Sequence, residues 1–535
     1  MKKKISIPIV IGLTLLAFVA GSQFSTLISG DNIYEQLNKF KDILSITSKY
    51  YVDDVDTQKL TDAAITGLIE TLDPHSVYIK TEQAKTVKES FEGKFEGIGV
   101  EFSILNDTIT VVSPISGGPS AMLGILSNDK IVTIEGKSAI KFTNEQVMKS
   151  LRGPKGTKVS VGIRRSGVSE LLNFDIIRDV IPLYTVDASL MLENNVGYIS
   201  VNRFAQETYN ELMDALTKLK SQGMKKLVLD LRGNPGGYLD QAVKMTDVFL
   251  DGEGKKKIVY TKGRIPQFDE EYFATTGSEY EKTPIIVLIS NGSASASEIV
   301  SGAIQDWDRG LVVGETSFGK GLVQRQFELA DKSALRLTIA RYYTPSGRLI
   351  QRAYNGDKEK YQKEAFEREE VEGENISHTE EQDTTRPEFK TSAGRKIYGG
   401  GGITPDYIVK PSALSSLTTE LFRKNLYYQF IANYLDKNSK EIKSNYKNLQ
   451  EFKKMYEVKE NLLSEFIDFV KQKKIEVKDE DVKKDKKFLQ ARLKAYIARN
   501  FWGNEGWYSI VLTQDNQLEK ALSIFPEAEK IAKLN

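Results

Sequence analysis

Read by the spacing of its apolar positions, the chain changes texture several times. Ile5 to Ala20 form a nearly uncharged apolar run directly after three lysines, the order of a basic n-region and an h-region of signal-peptide length. From Ile33 to Ile79 the spacing becomes helical: Ile33, Leu37, Phe40 and Leu44 share one face, and a second helix over Leu60 to Leu72 is stopped by Asp73-Pro74. Between Phe91 and Arg178 short runs such as "GIGVEF", "TITVVSPI", "DKIVTIEG" and "TKVSVGIRR", divided by glycines, predict β-strands with one helix over Thr143 to Leu151. From Asn195 strands and helices alternate: "VGYISV", a helix near Thr208 to Gln222, "KKLVLDLR", a helix after Gly237, "PIIVLIS", a helix over Ser297 to Asp306 and "RGLVVGE". Continuous apolar strands with helices between them predict an α/β unit around a buried, substantially parallel sheet, which "SALRLTIARYYT" closes. Asp357 to Glu388 is acid-rich and poor in aliphatics, the composition of a mobile arm. Leu414 to Asn535 is lysine-rich and helical, with apolar periodicities at Phe452 to Val470 and Phe488 to Phe501.

These textures divide the 535 residues into a signal peptide or membrane anchor (1–24), an N-terminal helical segment (31–87), a β-domain (88–178), an α/β core (179–356), the acid-rich arm (357–394), a return segment of the core (395–410) and a C-terminal helical domain (411–535). Cleavage near Ala20-Gly21-Ser22, or retention as an anchor, predicts export to the periplasm with inner-membrane attachment in the second case. The 74 Lys and Arg nearly cancel the 73 Asp and Glu, so no basic excess supports a nucleic-acid partner. Cysteine is absent, which excludes disulfides, thiolate metal sites and cysteine nucleophiles. Histidine occurs only at His75 and His378, too few for most imidazole-based triads or zinc sites, and neither a metal nor a cofactor is expected. Either helical region, N- or C-terminal, offers a surface for homo-oligomerisation.

Three loops of the α/β core follow predicted strands, where open parallel sheets place their ligand sites: Arg232 to Gly237, Asn291 to Glu298, and Gly314 to Gln324. The second has the strand-turn-helix setting that exposes a nucleophilic serine, but Ser295-x-x-Glu298 is equally a capping box, and Ser293 and Ser297 compete for the role. The third spells G-x-x-x-x-G-K, a phosphate loop up to its last position, where Gly321 replaces the Ser or Thr that would hold Mg²⁺. His75 precedes the β-domain and His378 sits in the acidic arm, so a serine here needs another base. A lysine serves only when neutral, which requires roughly 4 kcal/mol of destabilised charge. Lys320 stands among Phe318, Gly319, Gly321, Leu322 and Val323, an apolar setting, and Gln324, four positions on, shares its face.

The β-domain resembles a PDZ domain, with "SGGPSAMLGILSNDKIVTIEGKSAI" supplying the usual small-helix, strand and turn succession. In such domains a glycine loop, here Gly97-Ile98-Gly99-Val100, offers backbone N–H groups to a peptide's terminal carboxylate. The chain as a whole resembles the C-terminal processing peptidases, or tail-specific proteases. "LDPHSVYI", the PDZ insertion, "GYISVNRF", "LDLRGNPGG", "SASASEI", "GETSFGKGLVQ", "ARYYTPSGR" and "GGITPD" occur in the family's order over Ile33 to about Val409. The resemblance implies a crotonase/ClpP-like α/β core and an exported serine endopeptidase that recognises exposed C-terminal tails. It further implies Ser295 as nucleophile, Lys320 as base, Gln324 as its orienting partner, and the amides of Gly237 and Ala296 as the oxyanion hole. Asp306 takes the place of a residue that is mainly structural in the family. Two other readings are a catalytically inactive PDZ scaffold and a crotonase-like acyl transfer enzyme; the second leaves the PDZ domain and export signal unexplained.

Overall fold

The computed structural model describes residues 33–275, 277–377 and 385–534. The apolar run at Ile5 to Ala20, on which the export expectation rests, and His378 lie outside the described residues. The chain divides into two units, Met1–Tyr78 and Ile79–Asn535.

In the first unit α1 (Ile33–Tyr50) and α2 (Thr57–Glu70) form the expected helical pair. Asp56 caps α2 by accepting the N–H groups of Gln58 and Lys59 at 3.0 and 3.1 Å. Asp73 accepts the N–H groups of His75 and Ser76, both at 2.8 Å, which sets the turn after α2. No residue of α1 is buried within this structure. No helix among the described residues is long and apolar enough to cross a membrane.

The second unit opens with α3 (Thr81–Glu92) and then the PDZ domain, entered by β1 (Lys94–Gly97) and left by its antiparallel partner β7 (Asp179–Pro182). Between them β2 (Val100–Leu105), β3 (Thr108–Pro114), β4 (Lys130–Ile134), β5 (Lys158–Arg164) and β6 (Leu172–Ile177) pair in that order, leaving β2 at the sheet's edge. The helix α4 (Asn144–Leu151) starts at a full capping box, with Thr143 and Gln146 exchanging bonds. Ile109, Val111, Ile131, Val147 and Val159 fill the small core.

The main sheet has seven strands: β8 (Val186–Met191), β9 (Val196–Val201), β10 (Lys226–Asp230), β11 (Ile285–Ile289), β12 (Leu311–Gly314), then β16 (Tyr407–Ile408) and β15 (Gly373–Glu374). The run from β9 to β16 is parallel, and the outer two pairs are antiparallel. Alternate residues face opposite sides, so a strand such as Ile285–Ile289, buried throughout, serves two cores. One core packs Ile199, Leu229, Val287 and Val312 against α5 (Thr208–Ser221), α6 (Leu239–Asp247) and α7 (Ala296–Asp306). The other packs Tyr198, Val228, Ile286 and Val313 against α13 (Asn516–Ser523) and α14 (Phe525–Ile531).

Three expectations change. The strand β14 (Ala334–Tyr343) does not close the main sheet; it pairs antiparallel with β13 (Leu322–Glu328) and with Lys257–Gly263 in a second sheet. The short connection at 329–333 permits a hairpin, whereas joining a parallel sheet needs a long crossover. The acid-rich stretch, among its described residues, packs down rather than standing free: α8 (Lys358–Glu364) buries Tyr361 edge-on against Phe318, and β15 joins the main sheet. The stretch 411–535 divides in its packing. Its first part, α9 (Ser416–Arg423), α10 (Leu426–Asn445), a short helix over Leu449–Met455, α11 (Glu460–Gln472) and α12 (Asp479–Val511, kinked at Trp502 and Gly503), has an aromatic-rich core around Tyr427, Phe430, Phe452 and Phe466. Its last part, α13 and α14, belongs to the main sheet through Leu518, Ala521, Ile524, Phe525 and Ala528.

Candidate active site

The serine loop leaves β11 and turns into α7 at Ser295, whose φ of 54° and ψ of −111° are strained for a residue with a side chain. Strain of this kind costs about 1–3 kcal/mol and must be held by neighbours. The Ser295 carbonyl accepts the Tyr342 hydroxyl at 3.0 Å and the N–H groups of Glu298 and Ile299 at 2.9 and 3.0 Å. The three serines of the loop differ in environment. Ser293 is fully buried and donates to the Leu231 carbonyl at 2.8 Å, and Ser297 is fully buried and donates to the Asn234 carbonyl at 2.9 Å. Ser295 alone of the three lines a cavity of about 800 Å³.

Glu298 joins the serine loop to the lysine loop. It forms the expected capping contact, its Oε2 accepting the Ser295 N–H at 2.7 Å. The same oxygen accepts the Lys320 N–H at 2.9 Å, while Oε1 accepts the Gly319 N–H at 2.6 Å and the Ser317 hydroxyl at 2.5 Å. Burial pushes this carboxyl up, and the four donors oppose the shift. Read locally, Glu298 was only a helix cap; its second role needs Ser317 to Lys320, which are distant in sequence, and Glu298 holds both backbones at once. The Ser293 carbonyl adds a bond from the Phe318 N–H at 2.8 Å.

Lys320 lies just before β13 and Gln324 lies on it, across a register shift at Val323/Gln324. The Lys320 ammonium or amine Nζ donates to Gln324 Oε1 at 2.9 Å, and both residues line the cavity with Ser295. A phosphate-loop lysine opens a helix; Lys320 leads into a strand, so the phosphate-loop geometry is not formed. The loop is also held by a residue the sequence reading passed over. Arg368, from the acid-rich stretch, donates to the carbonyls of Ser317 and Phe318 at 2.8 and 3.1 Å, and burial pulls its pKa down to about 10.

The glycine loop after β10 forms the facing wall. Gly236 accepts the Phe204 N–H and Tyr238 donates to the Phe204 carbonyl, each at 2.9 Å, so the intervening Gly237 amide faces away from Phe204. A Cβ at Gly237 would sit 1.9 Å from the Phe204 carbonyl oxygen, which leaves glycine as the residue that fits. Gly237 and Ala296, at the start of α7, both line the cavity that holds Ser295 and Lys320. The loop is tied to the serine loop by Asn234, whose carbonyl accepts the Ala294 N–H at 3.0 Å.

The remaining candidates lie elsewhere. Gly97, Ile98, Gly99 and Val100 form the turn from β1 into the edge strand β2 of the PDZ domain. Ile98 is buried and its carbonyl accepts the N–H and hydroxyl of Ser120 at 3.1 and 2.6 Å; Gly99 has φ 74°. Asp306 pairs with Arg348 at 2.8 Å, with both side chains fully buried, and accepts the Ser346 N–H, a structural setting. His75 belongs to the first unit.

The chain is 42% identical over 339 residues to the carboxy-terminal-processing protease of Bartonella bacilliformis, covering 63% of this chain and 77% of that protein. It belongs to peptidase family S41, among the carboxy-terminal-processing proteases. The family's own model matches residues 195–357, a PDZ domain model matches 97–176, and a model of the activating protease CtpB N-terminal domain matches 21–83. A family of unknown function matches 417–503, within the C-terminal helices of this protease. The carboxy-terminal processing protease CtpA of Bacillus subtilis is 38% identical over 324 residues, covering 60% of this chain and 67% of its own. Among solved structures, the photosystem II D1 C-terminal processing protease is 25% identical with a TM-score of 0.34, over 70% of this chain and 87% of its own.

Proposed function

We propose that this S41 serine peptidase cuts peptide bonds with Ser295 as nucleophile and Lys320 as general base, Gln324 orienting the lysine amine. The observation that carries the reading is the four-donor grip of Glu298 on Ser295, Ser317, Gly319 and Lys320, which fixes the two reactive residues at one cavity. Neutral Lys320 takes the Ser295 proton as the hydroxyl attacks the carbonyl carbon. The N–H groups of Gly237 and Ala296 receive the developing oxyanion, and the lysine then gives its proton to the leaving amine. Water repeats the cycle on the acyl-enzyme. Placement of Ala296 at the start of α7 supports this role, because a helix N-terminus favours negative charge.

The substrate is a protein or peptide with an exposed C-terminal tail. The PDZ loop Gly97 to Val100 takes the terminal carboxylate while the peptide pairs with the edge strand β2. The basic and apolar N-terminus supports export and a periplasmic site of action, at the inner membrane if the segment is retained.

Separate Ser295→Ala and Lys320→Ala variants, assayed on an unfolded peptide with an apolar C-terminus, test the chemistry. Each is expected to lose at least about 10³-fold in kcat. Either variant remaining fully active would overturn the serine-lysine mechanism.

A further inference from the structure

Arg232 opens the glycine loop that carries Gly237, and its side chain points to the other end of the chain. Its Nε donates to both Asp230 oxygens at 3.0 Å, and one terminal nitrogen donates to Asp230 Oδ2 at 2.5 Å and Asp515 Oδ2 at 2.6 Å. The other terminal nitrogen donates to Asp515 Oδ1 at 3.0 Å and Gln517 Oε1 at 2.8 Å. All five guanidinium N–H groups are therefore used, three of them on residues some 283 positions away. The side chain is only 20% exposed, so without Asp515 and Gln517 those three donors would be left largely unsatisfied.

The far side of this contact is itself fixed. Asp515 caps α13 by accepting the Leu518 N–H at 3.0 Å, and Gln517 donates to the Val409 carbonyl at 2.6 Å, next to β16. The near side is coupled to Gly237 through a short, constrained loop. The Arg232 N–H binds Asp230 at 2.9 Å, the Gly233 N–H binds the Ser290 hydroxyl at 3.0 Å, and the Gly236 N–H binds Asn234 Oδ1 at 2.9 Å. The loop is thus held at both ends, by the Arg232 contacts at its start and at Gly237 by the Phe204 backbone, against which there is no room for so much as a methyl group.

We propose that Asp515 and Gln517 are positioning residues for the oxyanion-binding loop, acting through Arg232, so that the segment following the C-terminal helical domain is a working part of the catalytic unit. This rests on the proposed role of Gly237 above. The helices α9 to α12 then have a defined task for this chain: they return the polypeptide to the core so that α13 delivers Asp515 to Arg232.

Asp515→Asn is the decisive substitution, because asparagine still caps α13 while removing the charge that holds Arg232. Steady-state kinetics on a tail peptide, affinity for a peptide boronate that forms a tetrahedral adduct, and thermal unfolding are measured on the full chain, alongside Ser295→Ala. The expected result is a fall in kcat of about 10-fold or more with KM unchanged, a matching loss of boronate affinity, and a folded protein. Gln517→Leu should repeat the pattern more weakly. Wild-type kcat and boronate affinity in folded Asp515→Asn would overturn the inference, as would a lowered melting temperature with unchanged kcat for the folded fraction. Full activity in Ser295→Ala would instead overturn the reading on which it rests.

Discussion

On one face of the seven-stranded sheet the covering helices come from the strands' own successors; on the other they come from the end of the chain. The helices α6 and α7 each begin at a loop that has just left a strand of the sheet, so Gly237 and Ser295 are placed by neighbours in sequence. The opposite face is covered by α13 and α14, more than 200 residues beyond the strand Ile285–Ile289 that they cover. The first arrangement makes the chemistry local and compact. The second makes the stability of the same sheet, and the hold on Arg232, depend on a segment that must return from a separate helical core. Changes in the apolar packing of the two faces should therefore differ in kind, kinetic on the first and thermodynamic on the second, with the Asp515–Arg232 contact the one place where the second face reaches the glycine loop.

Outside the reactive pair itself, the largest effect is expected from Glu298→Gln. A carboxylate accepts from four donors at once, whereas an amide turns its NH₂ toward two of them, which pushes Ser295 or Lys320 out of place. A drop in kcat of about 10²- to 10³-fold with little change in KM is expected. A variant of near wild-type kcat would show that the two loops are held independently of Glu298.

On the other face, Phe525→Ala removes a nearly fully buried ring from the core between the sheet and α14. A loss of about 3 kcal/mol in unfolding free energy is expected, with kcat of the folded protein little changed at temperatures well below unfolding. Denaturant unfolding followed beside activity separates the two faces, and coincident loss of kcat without loss of stability would erase the distinction.

Asp515 sharpens the comparison through pH. Burial alone would raise its carboxyl, but the Arg232 guanidinium and the α13 amides outweigh burial and hold it below the ordinary range. A carboxyl lowered on folding contributes stability above its unfolded pKa and loses it as pH falls through the folded value. The melting-temperature gap between the wild type and Asp515→Asn should be full at neutral pH and close progressively below about pH 4. A gap that does not depend on pH would mean that the charge on Asp515 is not what holds the segment.

The smallest effect belongs to the contact between the helical domain and the PDZ edge strand. Arg499 reaches Glu101 on β2 at 2.9 Å, but Glu101 is 47% exposed, and a pair of this kind contributes about 0–1 kcal/mol. Arg499→Ala should leave stability nearly unchanged, and a loss comparable to that of Phe525→Ala would contradict this ranking.

Local patterns carried the first face and missed the second. Strand-loop-helix succession marks the serine and glycine loops because apolar runs of strand length stop at turn residues. Ser295 and Lys320 were visible as candidates from their loops, while the resemblance to the family supplied Gly237 and selected among Ser293, Ser295 and Ser297. Glu298 was visible only as a cap, since its other three donors lie beyond residue 316. Asp515 was not visible at all: an Asp before a short helix is an ordinary N-cap, and nothing in its surroundings indicates a guanidinium 283 positions away. The acid-rich stretch misled through composition, because the few residues that anchor it, Tyr361 and Arg368, are diluted among charged ones. The strand β14 was misassigned because a ten-residue strand beside the main sheet reads the same as one within it; only the pairing distinguishes them.

Trapping the acyl-enzyme tests the central claim most directly. A tail-peptide thioester mixed with the protease, quenched in acid during the first turnover and mapped by mass spectrometry, should carry the acyl group on Ser295. No acylation is expected in Lys320→Ala over the same interval. Acylation of another residue, or of Ser295 at the wild-type rate in Lys320→Ala, would contradict the account.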